Sequence, residues 1–111
     1  MPVTIKPFVL DLGSAQVKVE LASPAEMGGK LGLAIMNDYV IRLRAGQHGQ
    51  AYAPVLWHEV LHWIDWLFLA NKLDTKKGHR LLDQLANAIH MVLDRNPDVV
   101  EALYGKGRKR K

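Results

Sequence analysis

The stretch Pro54-Val55-Leu56-Trp57-His58-Glu59-Val60-Leu61-His62-Trp63-Ile64-Asp65-Trp66-Leu67-Phe68 decides how this chain is read. Proline suits the first turn of a helix, where its missing N–H goes unused, and no breaker follows before Asn71. Leu56, Trp57, Val60, Leu61, Trp63, Ile64, Leu67 and Phe68 wrap much of the circumference. So apolar a helix needs cover on several sides, which predicts a central helix packed by a sheet and by another helix.

Two histidines and a glutamate stand inside this apolar run. His58-Glu59-Val60-Leu61-His62 has the H-E-x-x-H spacing. Residues four apart share one helix face, so both imidazoles can reach a single ion. Glu59 is displaced by about 100° around the helix, where it can take a proton from a water on the metal without binding the metal itself. With five histidines and the glutamates present, chance would give this pattern about 0.008 times in 111 residues. Burying these three side chains among Leu, Val and Trp without a partner would be costly. The chain has no cysteine, so any metal must be held by His, Asp or Glu, and disulfide scaffolds, iron–sulfur clusters and Cys nucleophiles are excluded for these residues.

Outward from the helix, the N-terminal half reads as strands and the C-terminal half as helices, an α+β arrangement. Val3, Ile5 and Phe8 to Leu10 form a first strand, with Pro7 marking a sheet edge. After the turn at Asp11-Leu12-Gly13-Ser14, Val17, Val19 and Leu21 alternate with Gln16, Lys18 and Glu20, completing an antiparallel hairpin with one wet face. Leu31 to Ile35 and Tyr39 to Leu43 flank Met36-Asn37-Asp38 as a second hairpin. A second long helix runs from about Lys77 or Gly78 to Arg95, and Asn96-Pro97 opens a short last helix through Tyr104.

A zinc site of the hydrolytic kind uses three protein ligands and one open position. On the second helix His79, Asp83 and His90 fall within about 40° of one another, beside the apolar stripe. Asp83 is the middle member of that row, and Ala86 one turn on permits close helix approach. Asp83 is therefore the expected third ligand, with His79, His90, Asp65 and Glu101 as alternatives. Asp65, three residues after His62, is expected to orient that imidazole or to serve as a polar residue at the helix edge.

Charge sets further bounds. The net charge is +4, but Lys106, Arg108, Lys109, Arg110 and Lys111 carry the excess, and residues 1–105 hold ten cations against eleven anions. One domain over 1–104 followed by a basic, flexible tail over 105–111 is the expected organisation. The tail is the one place where a weak nucleic-acid contact would be sought. The start lacks the basic and apolar pattern of a secretory signal, and the longest apolar stretch is far short of the roughly 20 residues that span a bilayer. A cytoplasmic protein without membrane contact is expected.

His58-Glu59-Val60-Leu61-His62 together with Asp83-Gln84-Leu85-Ala86-Asn87-Ala88-Ile89 resembles the compact gluzincin-type metallopeptidases of mobile genetic elements, including the ImmA/IrrE-like group. It is also similar to small phage-encoded H-E-x-x-H proteins that carry an Asn-Pro segment near the end, here Asn96-Pro97. The resemblance implies a small zincin-like domain in which the hairpins pack on the H-E-x-x-H helix and a second helix brings the third ligand. It implies zinc held by His58, His62 and Asp83, Glu59 as general base, a peptide or protein substrate, and the host cytoplasm as location if the protein is phage-encoded. Asp83 stands where that family has a glutamate, shortening the reach by one methylene. The strand from Tyr39 to Arg44 would serve as an edge strand that aligns an extended substrate, Arg42 and Arg44 read first as solvated sheet positions and otherwise as groups that favour an acidic or C-terminal group on it, and His79 or His90 could stabilise the oxyanion. Two other readings compete: a zinc domain without catalysis that binds a protein partner, and a nucleic-acid-associated protein acting through its tail.

Overall fold

The computed structural model describes residues 6–105. Val3 and Ile5 of the expected first strand, and the basic residues from Lys106 onward, lie outside the described residues.

Strands β1 (Phe8–Asp11) and β2 (Gln16–Ala22) pair antiparallel. Their turn is closed by the Leu12 N–H on the Ala15 carbonyl and by the Gly13 N–H on the Asp11 side chain. The period-two pattern of β2 is realised directly, with Val17 and Val19 buried and Gln16 and Lys18 exposed. Helix α1 (Pro24–Met27) is a single turn closed by a Ser23–Glu26 capping box. Strands β3 (Gly32–Ile35) and β4 (Val40–Arg44) pair antiparallel across the short helical turn Met36–Asp38.

Both hairpins form, but the sheet joining them is mixed. Strand β4 lies parallel to β2, and the order is β1-β2-β4-β3. Segment Tyr39 to Arg44 is therefore bonded on both flanks, and the expectation that it would offer a free edge to a substrate is overturned. That edge belongs to β3.

Helix α2 (Gly49–Phe68) starts before Pro54 and stops before Asn71. Proline so near a helix N-terminus forfeits only one ladder bond, which is why it did not mark the first turn. At the other end the Leu69 and Asn71 N–H groups both turn back to the Asp65 carbonyl, while Ala70 and Asn71 adopt φ of 54° and 59°. Helix α3 (Lys76–Arg95) is capped by Thr75, whose hydroxyl accepts the Gly78 N–H at 2.9 Å, and α4 (Pro97–Tyr104) follows.

Helix α2 is the middle layer. Its Tyr52, Val60 and Trp63 close on Val17, Val19, Ile41 and Leu43 of the sheet, all buried. Each such large apolar side chain contributes roughly 1.5–3 kcal/mol when removed from water. On the far side α3 covers α2 with its own buried residues Gly78, Leu82 and Ala86. Gly78 is there for space. A Cβ at that position would meet the Leu73 carbonyl oxygen and stand 2.7 Å from Leu73 Cα, a backbone that cannot swing away. Gly78→Ala should cost about 1–3 kcal/mol, a fall in Tm of roughly 5–20 °C by thermal unfolding. A wild-type Tm would contradict this packing.

Candidate metal centre

The sheet-facing side of α2 fixes where its histidines go. With Val60 and Trp63 turned into the core, His58 and His62 share the face that meets α3. The connection that delivers α3 is held by Asp65, which is fully buried and accepts the Leu73 N–H on both carboxylate oxygens, at 3.1 and 3.2 Å. Asp65 therefore bonds the loop backbone; the expected bond to His62 is not what occupies its carboxylate. Anchored this way, the first turn of α3 places His79 against the α2 pair.

The three imidazoles form a triangle, with ring centroids 4.6, 4.7 and 5.2 Å apart. His58 Nε2 lies 3.1 Å from His62 Nε2 and 3.1 Å from His79 Nε2. One ligand atom from each of the three can be chosen so that all lie within 4.8 Å of one another, a group that could hold a metal ion. The spacing is that of a coordination shell: metal–nitrogen bonds of about 2.0–2.1 Å at tetrahedral angles put nitrogens about 3.3 Å apart. Without a cation, at most one nitrogen of each close pair can donate to the other, so three converging ring edges are poorly satisfied. Burial, then the neighbouring His79 charge, lowers the pKa of His58 against the opposing pull of Asp83. Burial, followed by His58 and His79, likewise lowers that of His62. Both shifts favour the neutral ring, the form in which imidazole binds metal.

Asp83 is not in this group. Its Oδ1 stands 3.2 Å from Nδ1 of His58, on the side of the ring away from the convergent Nε2 atoms. The contact lies off the line of a ring N–H, leaving the buried Nδ1 without an aligned hydrogen-bond partner. Asp83 thus stands behind His58, on the side opposite the converging nitrogens. His90 lies further along α3 and Glu101 is exposed on α4, and neither joins the cluster. Arg42 is bonded to Glu20 at 3.1 Å on the sheet.

Glu59 is buried, at 7% exposure. Burial raises its pKa to about 7, opposed by the Ala34 backbone and the Lys30 charge. Its carboxylate sits against β3 because residue 32 is glycine. A Cβ there would stand 2.7 Å from Val55 Cγ1 and 3.0 Å from Glu59 Oε2. Gly32 escaped the reading of the sequence, although a glycine inside a strand is a signal for close backbone approach.

The His cluster and Glu59 open onto a cleft of about 750 Å³ walled by β3, α2 and α3. The Arg44 N–H bonds the Leu31 carbonyl, and antiparallel alternation then turns Leu33 and Ile35 toward β4 as well. The backbone groups of Gly32 and Ala34 consequently point away from β4, at the sheet edge beside the cleft, where the Ala34 N–H donates to the Glu59 carboxylate.

Comparison with protein-family models, with curated proteins and with solved structures returns no match. Among the described residues, no helix is long and apolar enough to cross a membrane.

Proposed function

We propose that this protein is a zinc-dependent peptidase, with His58, His62 and His79 as ligands, Glu59 as general base and Asp83 as the carboxylate that orients His58. One observation carries the reading: three imidazole nitrogens converge in an open cleft next to a buried carboxylate. Three neutral nitrogen donors suit zinc, which when bound makes water nucleophilic near neutral pH and polarises a carbonyl. Glu59, raised toward neutrality by burial, is matched to accepting a proton at that pH and returning it to the leaving amine. The outward Gly32 N–H and C=O and the Ala34 C=O favour an extended peptide, which can pair with them as an added strand, while the Ala34 N–H is held by Glu59. This reading places the chain among compact H-E-x-x-H metallopeptidases of the ImmA/IrrE-like kind, departing from them in a histidine as third ligand.

The test is cleavage of a diverse peptide library by the full chain loaded with zinc, read by mass spectrometry of the new termini. Cleavage that stops with chelator and returns with zinc is expected. Stoichiometric zinc with no member of the library cut would contradict catalysis and favour a structural metal clasp.

A further inference from the structure

Along α2, Ala51, Val55, His58 and His62 follow one another at spacings of four, three and four, and Pro54 lies beside them. A single helix face thus changes from imidazole at one end to small apolar residues at the other. Ala51 is about 10 Å from His58 along the axis, the length of roughly three residues of extended chain. A peptide paired with the Gly32 backbone and the Ala34 carbonyl at the edge of β3 would run over this floor, with Leu33 and Met36 on the wall beside it.

Nothing on the floor answers a charge. The charged residues lining the cleft are Lys30, which is exposed, Glu59 at the centre and Asp83 behind His58. The Gln47 amide nitrogen is already committed to the Leu31 and Arg44 carbonyls, at 3.3 and 3.0 Å. Ala51, Pro54 and Val55 offer no polar side-chain group of their own, so an ionised substrate side chain seated on them would lose water, whereas an apolar one gains by burial. The small side chains of Ala51 and Pro54 leave room for it.

Building on the peptidase reading, we propose that the cleft selects peptides carrying an apolar side chain within three residues of the scissile bond, seated on Ala51, Pro54 and Val55. The specificity determinant is the α2 face upstream of the metal, and Ala51 is its adjustable position: exposed, in the first turn of α2, where an acidic residue is also favoured by the helix N-terminus.

Tripeptide hydroxamates that chelate zinc, with Leu, Asp or Lys placed at each position in turn, test this by calorimetry on the zinc-loaded full chain. At one position Leu should bind about ten- to a hundredfold tighter than Asp. In Ala51→Asp, zinc content should stay at one per chain while the preference for Leu over Lys at that position shrinks at least tenfold and Asp remains the weakest of the three. Equal affinity for all three side chains at every position, or a ranking untouched in Ala51→Asp, would overturn this inference alone. No binding of any compound to the zinc-loaded protein would remove the peptidase reading and this inference together.

Discussion

Replacing Glu59 with glutamine should leave a folded, zinc-loaded protein whose peptide cleavage falls about 10²–10⁴-fold, a barrier increase of about 3–5 kcal/mol. Glutamine keeps the size of the side chain and can still face the Ala34 backbone, so the contact between β3 and α2 survives. What it cannot do is accept a proton. It also carries no charge to desolvate, so the fold gains nothing from retaining the carboxylate at this buried position. The combination of intact unfolding, intact zinc content and lost turnover is the signature of a base. Turnover within a few-fold of wild type would take Glu59 out of the reaction.

The second large effect separates a ligand from its support. His79→Ala removes one of three nitrogen donors from the exposed first turn of α3, where alanine is a better helix former than histidine. Zinc affinity, measured by competition with a chromophoric chelator, should fall by more than about 100-fold with the fold preserved. Asp83→Ala removes only the carboxylate 3.2 Å behind His58. Carboxylates behind a ligating histidine are typically worth about 10–100-fold in metal affinity, so this loss should be the smaller of the two. The reverse ranking would return Asp83 to the position of third ligand.

The placement of His79 and Asp83 also shows what was legible in the residues. Apolar wrapping of α2, alternation in β2 and the Asn96-Pro97 helix start are local signals, and each survives in the fold because packing agrees with local preference. Mixed pairing of β2 with β4 is a nonlocal choice that no period-two pattern encodes, and with it went the identity of the free edge. At the site, helical spacing correctly placed His79 and Asp83 on one face of α3, but spacing alone does not say which of them meets which residue of α2. That is decided by the register of two antiparallel helices, hence by how the connecting turn is folded. Here Asp65 bonds the Leu73 backbone, and α2 ends at Phe68. His79 consequently reaches the imidazole pair, while Asp83 comes to rest against the back of His58. An Asp in the last turn of an apolar helix with no cation nearby in sequence was the available hint of such a loop anchor.

X-ray absorption at the zinc edge of the loaded wild-type protein tests the central arrangement most directly. Three imidazoles gathered by two helices predict a first shell containing three histidine nitrogens at about 2.0–2.1 Å, with the outer scattering of three rings. A shell with only two imidazoles and a protein carboxylate oxygen in place of the third would contradict it.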